Sequence, residues 1–337
     1  MKPVPFAVMI DGREWRVSRV WPGRGSGAPV ELAFEGALRG AYWNGIEMKA
    51  MEEGSDLLLP QLVEVLGKHG GEVVSHRPGR RAVVRTRANT YVKVVRPGRS
   101  GAILAGIERA RPFAHTFRTP RVLGHDESTV TFSAVPGRSL HSGAHWSPVA
   151  WKLAWAGTLD AWSRATAFVA MDAPVHDATA EAVVLASWVS KVAAVEPDAA
   201  EEISRVAAVA MEALLALPTP STVTPIHRDL HDKQLIWDPE AGPGMIDLDT
   251  VCRGDPAIDL GNLGAHVRLR HAQGIWDARQ SDTVSALIEG EGRARGIPRA
   301  HIVAYERATL VRLACIYAFR PRWRHLTPIL LNKARTP

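Results

Sequence analysis

Polar and apolar positions alternate through the first part of the chain. Residues 6–10 and 14–21 are apolar runs flanking Asp11-Gly12, a pair that suits a tight turn between antiparallel strands, so they predict a hairpin. Residues 30–34 and 41–43 predict two more strands. Residues 57–69 set Leu58, Leu62, Val65 and Leu66 at helical spacing and stop at Gly70-Gly71. Strands are predicted at 72–75, 81–86 and 91–95, joined by the turn-like Arg77-Pro78-Gly79-Arg80 and Arg87-Ala88-Asn89. A helix over 102–111 and strands at 121–124 and 130–134 follow, and Val135-Pro136-Gly137-Arg138 breaks the pattern.

Beyond Gly137 the period becomes mostly helical. Helices are predicted over 151–169, 181–195 and 199–217, the last stopped by Pro218 and Pro220, and again over 259–270, 282–295 and 302–319. Between these two groups, Leu235-Ile236-Trp237 and Met245-Ile246-Asp247-Leu248-Asp249 predict two strands around the turn Asp238-Pro239-Glu240-Ala241-Gly242. The expected class is α+β in three segments. Residues 1–56 form a β-rich extension, 57–135 a strand-rich half, and 136–337 a helical half.

Composition narrows the picture. The 337 residues suffice for a large core and two lobes. Hydrophobic residues at 46% and charged residues at 23% fit a globular protein. A net charge of +6 leans toward anionic ligands such as nucleotides. No basic run interleaved with aromatics suggests a nucleic-acid partner. Cys252 and Cys315 make neither a disulfide framework nor a metal cluster, so a reducing, cytoplasmic setting is expected. The apolar residues 6–10 are cut off by Asp11-Gly12, which leaves no signal-peptide core, and no apolar run reaches the roughly 20 residues of a membrane span. Oligomeric state is left open.

The chemistry concentrates at His227-Arg228-Asp229-Leu230-His231-Asp232-Lys233-Gln234-Leu235, close to H-R-D-x-x-x-x-N with Gln234 where Asn is expected. Asp229 and Asp247 stand at the two ends of the predicted hairpin. Phosphoryl transfer needs such a pair, one carboxylate for the acceptor hydroxyl and one for the metal on the nucleotide. A strand-borne Lys93, a helix-borne Glu108 and a break near 135 precede them. Gly254-Asp255-Pro256-Ala257-Ile258-Asp259-Leu260 follows. In this order the motifs resemble the aminoglycoside phosphotransferase and choline kinase branch of the protein-kinase-like fold. His227–His231 is similar to its H-G-D-L-H loop and 254–260 to its G-D-P-x-x-D-L segment. The resemblance covers about residues 60–330.

That resemblance implies a bilobal fold, with an antiparallel-sheet N-lobe and a mainly helical C-lobe. It implies a small-molecule kinase moving the γ-phosphate of ATP or GTP, with Mg²⁺, to a hydroxyl of an aminoglycoside-, sugar- or amino-alcohol-like acceptor. Antibiotic resistance is among the roles it suggests. Asp229 would be the catalytic base. Asp247 would ligate Mg²⁺, with Gln234 and Asp249 as further metal ligands, Asp249 sharing a strand face with Asp247. Lys93 would contact the α- and β-phosphates and be held by Glu108. Backbone at Ser133 and Val135 would meet the adenine. The alternative is a nucleotide-binding pseudokinase, motivated by Gln234 and by Ser75–Arg81 standing where a glycine-rich loop is expected. A protein kinase is disfavoured, because Gly254 follows Asp247 within seven residues and no A-P-E segment is present.

Other features are weighed against plainer roles. Gly23-Arg24-Gly25-Ser26-Gly27-Ala28 matches a dinucleotide fingerprint but leads into a strand, so a hairpin loop is expected. Lys49 is a rival to Lys93 that would place extra strands before the hinge. Arg77, Arg80 and Arg81 are candidates for phosphate contact or for a solvated turn. The pairs His227/His231 and His141/His145 lack the Glu of H-E-x-x-H; His227 is expected to pack the loop, and His231 to do so or to contact substrate. Trp151, Trp155 and Trp162 fall on one helical stripe and are expected in the core. Eight acids between 172 and 212 would form a solvated face or attract a cationic acceptor. The Arg-rich stretch 320–324 argues instead for an anionic one.

Overall fold

The Asp11-Gly12 turn closes a hairpin as its residues require. Both have positive φ, 52° and 74°, and β1 (Ala7–Ile10) pairs antiparallel with β2 (Arg13–Val20) outward from Ile10 and Arg13. β3 (Ala28–Phe34), β4 (Ala37–Trp43) and an unforeseen β5 (Met48–Ala50) complete a five-stranded sheet in sequence order. The computed structural model describes residues 4–23, 27–168, 172–194, 197–220 and 222–336. The middle of the glycine-rich stretch at 23–28 falls outside them, as do the predicted helix ends at 169 and 195, but a strand does follow at Ala28.

A second antiparallel sheet comes next. α1 (Gln61–His69) packs Leu62 and Val65 onto β6 (Glu72–Arg77), β7 (Arg81–Arg85) and β8 (Thr90–Val95), burying Val73, Val84, Val92 and Val94. α2 (Ser100–Arg109) and the short α3 (Arg111–Ala114) lead to β9 (Val122–His125) and β10 (Thr129–Ser133). The strand order is β6-β7-β8-β10-β9.

The two sheets are joined by buried carboxylates. Glu31 on β3 accepts the His76 backbone N–H at 2.8 Å and a Ser18 hydroxyl bond at 3.1 Å. Asp56 accepts N–H bonds from Leu58 and Gly79 at 2.9 and 2.7 Å and lies 2.9 Å from His76 Nε2. Glu31 therefore fixes β6 to the first sheet, and Asp56 fixes the β6–β7 turn to the segment that leaves β5.

After the linker 134–137, β11 (Arg138–Ser139) leads to α4 (Pro148–Ala165), β12 (Val175–His176), α5 (Ala178–Ala193), α6 (Pro197–Leu215) and β13 (Thr224–Ile226). The hairpin β14 (Leu235–Asp238) and β15 (Gly242–Met245) adds to β11, while β16 (Cys252–Gly254) lies between β12 and β13. α7 (Ala257–Ala272), α8 (Ala278–Ala294), α9 (Arg299–Ala318) and α10 (Leu326–Arg335) form the remaining body. Trp151, Trp155 and Trp162 are nearly fully buried on α4, and the first two meet Trp276 edge to face. This is core packing, as expected. A single apolar cluster runs from Trp15 and Leu32 of the first sheet into α6, α9 and α10, with Trp323 packed against it.

The second hairpin strand corrects the sequence expectation. It ends at Met245, and the chain then turns away. Asp247 adopts a left-handed backbone (φ 62°, ψ 50°), and Leu248–Thr250 is a single 3-10 turn. Asp247 and Asp249 thus do not share a strand face. A short acidic side chain tolerates that backbone better than most. α10 went unpredicted because Pro328 interrupts its pattern, yet a proline in the first turn costs no hydrogen bond.

Candidate active site

The catalytic-loop sequence is shaped by α7. Asp259, in its first turn and fully buried, accepts the backbone N–H groups of His227 and Arg228, both at 2.8 Å, and the Trp162 indole N–H at 2.9 Å. One turn on, Asn262 Nδ2 donates to the Arg228 carbonyl at 2.6 Å, and its own oxygen accepts from Thr309 Oγ1 and Arg312 Nη2. These bonds hold Arg228 at φ 71°, a left-handed conformation rare for a side-chain-bearing residue. The bend exposes Asp229, whose carboxylate lies 3.4 Å from Arg312 Nη1. His227 is buried edge-on to Phe113, and its carbonyl accepts from Thr250 Oγ1.

The end of the loop is equally tied. Asp232 is buried, which opposes its charge, but Arg270 Nε at 2.9 Å and His141 Nδ1 at 2.6 Å hold its carboxyl far below the usual range. Gln234 Oε1 accepts the His231 N–H at 3.1 Å, while His231 Nδ1 accepts from the Lys233 N–H. His231 stacks on His266 with ring centroids 4.5 Å apart. Among the described residues, His231, Asp232 and His266 are the grouping of His, Cys, Asp and Glu whose atoms lie within metal-sharing distance. His141 is spent on Asp232, and the His145 carbonyl accepts from Arg138 Nη1 at 2.7 Å.

Lys93 projects from β8 over Phe132, and its Nζ lies 2.9 Å from Asp247 Oδ1 and 2.8 Å from Asp249 Oδ2. Burial opposes the ammonium charge, and the two carboxylates more than offset it, raising the Lys93 pKa. Partial burial opposes the charge of Asp247 too, but Lys93 and then Arg81 hold its pKa down to about 2. Asp249 Oδ1 is buried with no hydrogen-bond partner, an orphaned acceptor that suits an oxygen-seeking cation.

Glu108 does not hold Lys93. It is exposed on α2 and pairs with Arg111 at 2.6 Å. Gly106 of α2 lies so close to the Asp249 backbone that a Cβ would sit 2.9 Å from it, and its neighbour Ile107 lines the cavity. Two residues beyond Gly106 is about 200° around the helix, so Glu108 points away. Lys49 lies exposed on β5, outside the cleft.

Asp229, Gln234, Lys93, Asp247, Asp249, Ser133 and Val135 all line one cavity of about 530 Å³ between the second sheet and the helical half. Val83 and Phe132 from above and Ile236 and Ile246 from below supply apolar walls. The Ser133 amide is spent on the Arg121 carbonyl, and its hydroxyl accepts the Arg121 N–H. Arg118 spans the linker, donating to the carbonyls of Pro136 at 2.8 Å and Gly242 at 2.7 Å. Of the turn arginines, Arg81 lines the cavity, whereas Arg77 packs over Trp21. Burial, then Arg80 and Arg81, lower the Arg77 pKa to about 10. Glu181, counted among the acids of a solvated face, is instead buried against His176 and Arg312. The sequence reading missed Arg19, Lys233, His266, Arg270, Arg312 and Tyr317, which also line the cavity. Lys233 lies within the loop motif itself, while His266 and Arg270 come from α7, Arg19 from β2, and Arg312 and Tyr317 from α9, elements without a motif at those positions.

Comparison with known proteins agrees with this geometry. Residues 79–297 match the phosphotransferase enzyme family. An aminoglycoside phosphotransferase from Streptomyces rimosus is 23% identical over 76% of this chain and 96% of its own, with a TM-score of 0.54. A choline/ethanolamine kinase family protein from Mesorhizobium loti is 17% identical over 80% and 89%, with a TM-score of 0.52. An amicoumacin kinase is 14% identical over 79% and 89%, with a TM-score of 0.57. These likenesses show the bilobal kinase-like fold. No curated protein matches the sequence. With more than half of the chain matched, and the Lys93, Asp229 and Asp247 side chains gathered in one cleft, the chain belongs to the phosphotransferase enzyme family as a small-molecule kinase.

Proposed function

We propose that the protein transfers the γ-phosphate of ATP or GTP to a hydroxyl of a small molecule, with Asp229 as the catalytic base. The observation that carries this reading is the single cavity shared by Asp229 and the Lys93–Asp247–Asp249 cluster. The acceptor oxygen bonds to the γ-phosphorus as the bond to the β,γ-bridging oxygen breaks. The electron pair leaves with the nucleoside diphosphate, and the hydroxyl proton passes to Asp229. Lys93 binds the α- and β-phosphates, and Ser133 and Val135 border the base at the linker. Asp247 and Asp249, the latter with its orphaned oxygen, would hold Mg²⁺, and the Gln234 amide oxygen would have to leave the His231 N–H to join them. The bound cation would neutralise charge developing on the phosphates.

Support comes from relatives solved with ligands. The Streptomyces rimosus enzyme was solved with ADP and streptomycin, and the amicoumacin kinase with AMP-PNP and Ca²⁺. Residues 1–56 are read as an extension, 57–135 as the nucleotide lobe and 136–337 as the acceptor lobe. Among the described residues no helix is long and apolar enough to cross a membrane, and both cysteines are buried free thiols, consistent with action in the cytoplasm.

The test is coupled ADP release over a panel of hydroxylated acceptors with wild type and Asp229→Asn. Loss of a general base lowers kcat by roughly 10²–10⁴-fold. An Asp229→Asn protein with undiminished turnover rejects the base assignment.

A further inference from the structure

The cavity has two ends of different character. Lys93, Arg81, Asp247 and Asp249 serve the nucleotide end. Beyond Asp229 the lining changes to Arg19, Lys233, Arg270, Arg312 and Arg320, around an apolar strip of Leu313, Ile316 and Tyr317. Five cations there face one lining carboxylate, Asp229, which already has Arg312 as its partner.

The pairing of these cations shows which charge is spent. Arg270 is neutralised by Asp232 behind the wall, and Arg312 lies against Asp229 and Glu181. Arg19 reaches over from β2, steadied by Glu31 at 3.4 Å and Ser75 Oγ at 3.5 Å. Lys233 and Arg320 have no carboxylate partner among the described residues. Arg320 lies over the Tyr317 ring at 5.2 Å, and its Nε is buried without a hydrogen-bond partner. A buried guanidinium donor left unmade is costly, and such a cluster persists where an anion completes it.

Resting on the phosphotransferase reading above, we propose that the acceptor carries an anionic group, a carboxylate or a phosphoester, bound by Arg19, Lys233 and Arg320, while its hydroxyl meets Asp229 and its carbon skeleton lies on Leu313, Ile316 and Tyr317. A polycationic acceptor would meet the uncompensated charges of Lys233 and Arg320 at this end. Arg19 and Arg320 lie outside residues 79–297, so two of the three binding cations come from segments flanking the matched family region and Lys233 from within it.

The experiment is calorimetric titration of the full chain. AMP-PNP with Mg²⁺ is added first, and its binding to wild type tests the phosphotransferase reading independently. Gluconate, glucose 6-phosphate, glucose and glucosamine are then titrated into the loaded protein. Gluconate or glucose 6-phosphate should bind at least tenfold more tightly than glucose or glucosamine, and whichever of the two prevails identifies the anion as carboxylate or phosphoester. Arg19→Gln and Arg320→Gln should each weaken that binding about tenfold, with melting curves confirming that both variants fold. Should either variant not fold, Arg19→Lys or Arg320→Lys replaces it, with a smaller loss expected because the charge stays and the fork is gone. Failure of both anions to bind, equal binding by the folded variants, or tighter binding of glucosamine would overturn the proposal while leaving AMP-PNP binding intact.

Discussion

Lys93 closes onto Asp247 across the floor of the cleft, Nζ to Oδ1 at 2.9 Å, so the cation of the upper sheet is paired with a carboxylate of the lower half. A second bond to Asp249 makes the ammonium a bridge between the two acids.

This pairing separates the importance of Lys93 from that of Glu108. Lys93→Ala removes the charge proposed to face the phosphates and leaves two half-buried carboxylates without their cation, so kcat/KM for the nucleotide should fall by about two orders of magnitude or more. Glu108→Ala loses only a surface pair with Arg111 and should leave kcat/KM within about threefold. Steady-state kinetics at varied nucleotide concentration measures both. A tenfold or greater loss in Glu108→Ala would mean that Lys93 changes partner once nucleotide is bound.

Arg228 offers a test of how the catalytic loop is held. Its φ of 71° is strained for any residue with a β-carbon and worst for a branched one. Arg228→Gly removes that strain but gives the unfolded chain more freedom, two effects of roughly 0.5–1 kcal/mol with opposite sign. Its melting temperature should therefore stay within a few degrees of wild type. Arg228→Val should lose about 1–2 kcal/mol. Thermal denaturation of the two variants side by side decides it, and equal stability would show that the loop backbone relaxes.

Asp56 ties acid sensitivity to the junction of the two sheets. Burial opposes its charge, but bonds from His76, Gly79 and Leu58 prevail and hold its carboxyl below the usual range. A depressed carboxylate pKa contributes stability that is present above the unfolded value, about 4, and is lost as pH falls through the folded value. Asp56→Asn should therefore be destabilised by about 2 kcal/mol at pH 7, with the gap to wild type closing below pH 4. Melting curves at stepped pH follow this directly. A gap independent of pH would assign the loss to shape rather than charge.

The hairpins and helices were legible because each is specified by neighbours in sequence, Asp11-Gly12 for the first turn and the Trp151–Trp162 stripe for α4. The catalytic loop was legible for the same reason, since His227 to Gln234 and Asp255 to Asp259 lie within one stretch. What escaped was set by distant contacts. Helical placement alone points to Glu108, but the facing of α2 is decided by how closely Gly106 approaches Asp249. Asp249 was placed on a strand face by period, but the chain left the sheet after Met245. Arg19 could not have been foreseen, because its place in the cleft depends on Glu31 binding the backbone of β6.

The contact between β2 and the turn Pro321–Trp323 has a mechanical consequence. The linker around Val135 joins the halves at one edge of the cleft, and Arg19 and Arg320 border the cleft where β2 meets that turn. The first sheet is fastened to β6 by Glu31, so it travels with the upper half. The two halves are thus attached on both sides, like a door whose free edge is latched as well as hinged. Swinging open about the linker requires that latch to part.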